Sequence, residues 1–290
     1  MPVFASKVSL IGESINDSVP STKSLLDADD IAGIQNLAKS QDEGGADYID
    51  VNIGLRPKEW MTKLVKAIQE VTTKPLSIDS PDVEICRAGL EAYNAELAGG
   101  KRPILNSISP LRPEMFDLLE IAPCLPILLI SEQTGADGGT QCHTAEETYL
   151  AAKSMIALAK GRGLTPSDVI LDPGIAPIGS DTKGNLKRLL GAMQLIQNDA
   201  ELKGVHYSVG LSNFTVMLPT KRKDGIPIKS TLESAFLGKA TALGLDMAIG
   251  SVKRNYAPLP DDHPAVQCLD KCLASNDFDS LMVVMQFYRG

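Results

Sequence analysis

Carboxylates and carboxamides recur in this chain at one kind of place. Glu13, Asn52, Asp79, Asn106, Asp172 and Asn213 each stand where a short apolar run ends, with Asn16 shortly after the first and Ser212 beside the last. An ionised Asp or Glu accepts hydrogen bonds, whereas Asn donates and accepts at once. Such a set suits the edge of a flat heterocycle whose donors and acceptors alternate. It does not suit nucleophilic catalysis by a Ser-His-Asp triad, since His143, His206 and His263 fall in loops or at a strand start. Neither a P-loop nor a G-x-G-x-x-G run occurs, so nucleotide binding has no positive signal. The adjacent Cys142 and His143 and the pair Cys268 and Cys272 would each need further ligands to hold zinc, and no metal site is expected.

The elements that must position these residues follow a regular cadence. Apolar runs at Val8 to Glu13, Tyr48 to Asn52, Leu76 to Asp79, Ile104 to Asn106, Ile127 to Glu132, Val169 to Asp172, Tyr207 to Asn213 and Met247 to Ser251 read as strands. Helical patterns at Asp30 to Glu43, Pro57 to Val71, Asp82 to Leu97, Pro113 to Ile121, Thr144 to Lys160, Leu186 to Gln197, Thr231 to Leu243 and Pro264 to Ala274 separate and follow them. Thr144 and Glu147 form a capping-box pattern, and Pro57, Pro81 and Pro113 stand at helix starts. Eight such units predict an α/β fold, a single-domain (β/α)8 TIM barrel over residues 1–290, whose functional groups gather at the C-terminal ends of the strands. Asp50, two residues before Asn52, joins Asn16 and Asn52 as a candidate to orient the others or close the rim.

Two long connections exceed the minimum for a barrel. Gln133 to Gln141 is glycine-rich, and Phe214 to Lys229 carries the triplet Lys221-Arg222-Lys223. Both are expected to be mobile and near the mouth. The triplet could meet an acidic partner or a carboxylate tail, or simply be solvated.

Composition narrows the class. Hydrophobic residues make up 43% of the 290 and charged residues 22%, enough apolar material for a large core. A net charge of -8 argues against nucleic acid as a partner. No apolar run of membrane-spanning length occurs, and Met1-Pro2-Val3-Phe4 does not resemble a signal peptide, so no membrane association and a cytoplasmic location are expected. The five cysteines are an odd set without a C-x-x-C pair and read as reduced thiols.

A pterin is a heterocycle of the kind described above, and six short motifs in order carry a matching resemblance. They are Ile11-Gly12-Glu13-Ser14-Ile15-Asn16, Gly45-Ala46-Asp47 leading to Asp50-Val51-Asn52, Ile78-Asp79-Ser80, Leu105-Asn106-Ser107, Leu171-Asp172-Pro173 and Gly210-Leu211-Ser212-Asn213. On these the chain resembles the pterin-binding methyltransferases. That family includes methyltetrahydrofolate:corrinoid/iron-sulfur protein methyltransferase and the folate domain of cobalamin-dependent methionine synthase. The resemblance implies that Asp79, Asn106 and Asp172 bind the pterin ring, with Glu13, Gly210 and Ser212 in the same pocket, and that Asn213 reaches N5. Ser14 departs from the family's Glu-Arg sequence at this place, so an arginine contact is missing there.

The activity so implied is methyl transfer between the cobalt of a corrinoid protein and N5 of tetrahydrofolate, favoured from methylcorrinoid to tetrahydrofolate. The reverse, from 5-methyltetrahydrofolate to the corrinoid protein, is the alternative direction. No D-x-H-x-x-G corrinoid module occurs, so the corrinoid is expected on a separate partner protein. The resemblance also implies a homodimer. Two rival readings are a dihydropteroate synthase-like enzyme and a non-catalytic folate-binding barrel. The former places a lysine after the seventh strand, where Gly-Leu-Ser-Asn stands here.

Overall fold

Strand residues in a barrel alternate between the lumen and the surrounding helices, and this alternation explains both the apolar runs and their polar ends. The computed structural model describes Phe4, residues 7–135 and residues 138–289. Met1 to Val3, part of the segment read for a signal peptide, and Ala136 and Asp137 of the glycine-rich connection lie outside the described residues.

The strands are β1 (Ser9–Asn16), β2 (Tyr48–Asn52), β3 (Leu76–Asp79), β4 (Ile104–Ile108), β5 (Leu125–Leu129), β6 (Glu132–Gly135), β7 (Gly138–Gln141), β8 (Ile170–Asp172), β9 (His206–Tyr207) and β10 (Met247–Gly250). Eight of them form one parallel sheet in the order β10-β1-β2-β3-β4-β5-β8-β9. Its two edges meet where Gly210 bridges Ile249 and the Ile249 N–H donates to the Val209 carbonyl at 2.9 Å, which closes the (β/α)8 barrel. Inside, Ile11, Ile104, Ile127, Ile170 and Met247 pack the lower lumen. Outside, Ile49, Val51, Ile78, Leu105 and Leu171 face the helical layer.

The helices are α1 (Pro20–Asp27), α2 (Ile31–Glu43), α3 (Lys58–Gln69), α4 (Val83–Ala92), α5 (Ala145–Gly161), α6 (Asn185–Gln197), α7 (Ile228–Thr241), α8 (Pro264–Ala274) and α9 (Asp277–Arg289). Asp30 caps α2 by accepting from the Gly33 N–H at 2.9 Å, and Ile34 and Ala38 form its buried face. The expected capping box of Thr144 and Glu147 starts α5. Pro57 is the cap of α3 rather than its first turn, and Asp82, after Pro81, caps α4. Pro113 opens a 3-10 segment, Pro113–Glu120, where the sequence pattern predicts an α-helix. The segment that reads as one helix to Leu97 breaks after Ala92 and resumes as the 3-10 turn Ala95–Ala98. Two helices, α1 and α9, go beyond the eight that the sequence pattern predicts.

Several boundaries also shift. The first strand runs on past Glu13 to Asn16, with a register shift between Gly12 and Ile15. The seventh barrel strand is only His206–Tyr207, and Leu211–Thr215 forms a 3-10 turn. Glu132 lies beyond β5 and starts the antiparallel hairpin β6–β7, in which it pairs with Gln141. The described residues of the glycine-rich connection thus pair as a ribbon. All five cysteines are buried, and burial raises the Cys86 and Cys124 thiols to about 12. Among the described residues no helix is long and apolar enough to cross a membrane.

Candidate active site

The polar strand ends stand in register. Asn16 pairs with Asn52 across β1 and β2, Asn52 with Asp79 across β2 and β3, and Asp79 with Asn106 across β3 and β4. One rung of the parallel sheet thus carries Asn-Asn-Asp-Asn across four neighbouring strands. Asn52 donates its amide to Asp79 Oδ2 at 2.8 Å and takes the Gly54 N–H on its own oxygen at 2.8 Å. Asp50 lies one pleat below, 1% exposed, with the Asn106 amide 3.5 Å from its Oδ1.

The opposite wall comes from β8, the segment after β9, and β1. Asp172 Oδ1 accepts the Gly174 N–H at 2.7 Å. Arg188 of α6 holds that turn by donating to the carbonyls of Pro173 at 2.8 Å and Gly174 at 3.0 Å. The Ser212 hydroxyl donates to Glu13 Oε2 at 2.8 Å. Asn213 folds its carboxamide back over Gly210, where an added Cβ would lie 2.8 Å from Nδ2. That close approach is why glycine suits position 210.

These groups surround one cavity of about 760 Å³ at the C-terminal mouth. Glu13, Asn16, Asp50, Asp79, Asn106, Asp172, Gly210, Ser212 and Asn213 all line it. Of the sequence-derived set only Asn52 stands behind the wall, where it orients Asp79. Asn16 is on the wall itself, because β1 continues to it.

Burial governs the charge state of the floor. Desolvation, with the neighbouring Asp79 charge, holds the Asp50 carboxyl well above the usual carboxylate range. Asp79 is also raised by desolvation, but the Asn52 amide and Asp50 donate to it and oppose the shift. A protonated Asp50 giving its hydrogen to an ionised Asp79 fits both directions. Burial pushes Asp172 up to about 6, against the Gly174 N–H and the Arg188 charge. Glu13 is also raised by burial, opposed by Ser212 and Arg254.

Three cations that sequence reasoning did not place in the site line the same cavity: Lys229, Lys253 and Arg254. Arg254 pairs with the fully buried Glu233 of α7 and donates to Thr215 Oγ1 at 3.1 Å, and Thr215 also bonds Glu233. This cluster ties the turn bearing Ser212 and Asn213 to α7 and to the segment after β10. The Lys221-Arg222-Lys223 triplet does not line the cavity. Its Arg222 lies 4.9 Å over the Phe287 ring of α9 and pairs with Asp224 at 3.0 Å, because the segment folds into a turn in which the Arg222 N–H meets the Ile226 carbonyl.

The chain is similar to known proteins in sequence and in fold. The methylcorrinoid:tetrahydrofolate methyltransferase of Eubacterium limosum is 29% identical over 250 residues, which cover 83% of this chain and 83% of that protein. The methionine synthase of Mycobacterium leprae is 27% identical over 267 residues, 85% of this chain but 20% of that much longer protein. Among solved structures, dihydropteroate synthase from Thermus thermophilus superposes with a TM-score of 0.57 at 16% identity, covering 93% of this chain and 95% of that one, a likeness of fold alone. The family model described as pterin binding enzyme matches residues 15–250. This chain belongs to the pterin binding enzyme family.

Proposed function

We propose that this protein is a methyltransferase acting between the cobalt of a separate corrinoid protein and N5 of tetrahydrofolate, in the direction from methylcorrinoid to tetrahydrofolate. The observation that carries the reading is that Asn16, Asp79 and Asn106 of the rung, with Asn52 holding Asp79 from behind, face Asp172 and Asn213 across one cavity. A pterin presents an amino group and ring N–H donors beside acceptors. Ionised Asp79 and Asp172 would accept from the former, and the Asn106 amide would serve either kind. The likeness to the Eubacterium limosum protein supports the choice of methyl donor and acceptor.

In this direction N5 attacks the methyl carbon, the electron pair of the breaking bond stays on the partner's cobalt, and the resulting N5 ammonium gives up its proton to solvent water. The Asn213 carboxamide oxygen accepts from the N5–H as positive charge develops, and the same contact serves the reverse direction, because both directions pass through one transition state. This is a preorganised electrostatic role that grows in the transition state. The defining experiment mixes the protein with a methylated corrinoid protein and tetrahydrofolate and follows corrinoid absorbance. Loss of the methyl-cobalt spectrum with formation of 5-methyltetrahydrofolate is expected, and no change with either direction's substrates would overturn the reading.

Asn213→Ala should lower the single-turnover rate about tenfold, or ~1.4 kcal/mol, with little change in folate affinity. Gly210→Ala is a sharper form of the test, because its methyl displaces the Asn213 amide while the far end of that side chain can move aside without unfolding anything. It should copy the rate loss at wild-type thermal stability. A rate within about twofold of wild type in both variants, under ~0.5 kcal/mol, would remove Asn213 from the transition state.

The raised Asp172 sets a pH dependence. Pterin donors need the ionised carboxylate, so binding lowers the Asp172 pKa from about 6 and releases a proton. Tetrahydrofolate affinity should therefore be full above pH about 6 and fall as the pH drops through it, with the raised Glu13 and Asp79 steepening the fall. Calorimetry across this range checks it. Asp172→Asn should flatten the profile, and an unchanged profile would show that Asp172 does not titrate on binding.

The partner must reach the mouth. Leu55 is 96% and Met217 93% exposed, on segments that leave the C-terminal ends of β2 and β9. Apolar side chains so placed suit a protein surface closing over the cavity. Leu55→Asp with Met217→Asp should slow transfer at limiting corrinoid protein and leave tetrahydrofolate binding unchanged, as stopped-flow absorbance and calorimetry can measure. Loss of both together would count against docking there. A homodimer is part of the same proposal and rests on the family resemblance.

A further inference from the structure

We propose that Lys229 and Lys253 form a subsite for the glutamyl carboxylates of the folate, an inference that rests on the placement of Asn213 at N5 proposed above. Lys229 lies in the first turn of α7, and Lys253 lies in the 3-10 segment Val252–Arg254 after β10. Both line the mouth cavity, on the side that also bears Gly210, Ser212 and Asn213. The third cation there, Arg254, is committed to Glu233 and Thr215. Neither lysine ammonium has a side-chain or ion-pair partner among the described residues.

The chemistry of the ligand fixes which way its tail must leave. In the pteridine ring N5 is bonded to C6, and C6 carries the arm that ends in the p-aminobenzoyl and glutamyl groups. A ring held with N5 at Asn213 therefore sends that arm out along the wall of Asn213, toward the segments that follow β9 and β10. The rung across the cavity, with Asp79, would repel the tail's carboxylates, and so would much of a surface whose net charge is -8. Two uncommitted ammonium groups on the exit side supply the charge that the tail needs. Each further γ-linked glutamate brings one more carboxylate to the same place, so the subsite should favour longer tails.

Isothermal calorimetry with three probes tests this at low salt: 6-methyltetrahydropterin, which lacks the tail, tetrahydrofolate, and tetrahydrofolate triglutamate. Wild type should bind them with rising affinity in that order, and salt should erase most of the difference between the last two. Lys229→Ala with Lys253→Ala should weaken both tailed ligands about tenfold, the scale of two partly solvated ion pairs, and bind 6-methyltetrahydropterin as wild type does. Lys229→Arg with Lys253→Arg should restore the preference. Equal affinity of wild type and the double alanine variant for the triglutamate would overturn the subsite, as would an equal loss for 6-methyltetrahydropterin. A wild-type protein that fails to bind 6-methyltetrahydropterin would instead sink the pterin reading, and the subsite with it.

Discussion

Replacing Arg254 with alanine is expected to cost about 3 to 5 kcal/mol of folding stability, the scale for a buried ion pair that loses one member. Glu233 is 0% exposed, so without the guanidinium its charge would remain in the core beside only the Thr215 hydroxyl. Urea or guanidinium unfolding of Arg254→Ala measures this directly, and a loss under about 1 kcal/mol would mean that water reaches Glu233 in the native state. The double change Glu233→Leu with Arg254→Met should recover most of the loss, since a buried pair can be exchanged for apolar groups of similar size at little cost. Activity should not recover in step. Thr215 ends the turn that carries Ser212 and Asn213, so an apolar replacement would keep the fold but loosen the Asn213 side chain proposed to face N5.

Asp79→Ala should weaken tetrahydrofolate binding by about 1.5 to 3 kcal/mol, roughly ten- to a hundredfold, because it deletes a charge-assisted acceptor at the centre of the polar rung. It also strands the Asn52 amide, which donates to Asp79 at 2.8 Å, and removes the acceptor for the Asp50 proton. Calorimetry on a variant whose near-ultraviolet circular dichroism matches wild type would isolate the binding effect. Undiminished affinity would mean that the ligand does not lie against β3.

Much of this is legible in the sequence because parallel barrel strands are covered on both sides. Residues such as Ile49, Val51, Ile78 and Leu105 must all be apolar, so an Asp or Asn among them has only the lumen to enter. The residues that escape a sequence reading give different signals. Asn16 is legible as a candidate, but its place within the strand is not, because the register shift between Gly12 and Ile15 carries β1 past the point where its apolar run stops. Glu233 sits between Leu232 and Phe236 in a helix buried nearly all round, so a lone acid there reads as a solvated residue. Lys229, Lys253 and Arg254 are scattered singly, whereas the conspicuous Lys221-Arg222-Lys223 cluster folds aside. The final helix is readable in part, since its buried Val284 and Phe287 are spaced three apart, but without the surface of α8 that spacing is too short to distinguish from chance.

The in-register rung across β1 to β4 would tie the contact spacing of a ligand bound there to the sheet itself. Neighbouring rung residues are separated by about 4.8 Å because that is the distance between hydrogen-bonded strands. Exchanging one side chain on the rung changes a single point of contact and leaves the others where they are. Inserting or deleting one residue within a strand has a different effect, because every later side chain of that strand then turns to the opposite face, and the polar end enters the layer packed by helices. Divergence of ligand preference in this architecture should therefore proceed by substitution at the strand ends, with changes of length confined to the loops that follow them.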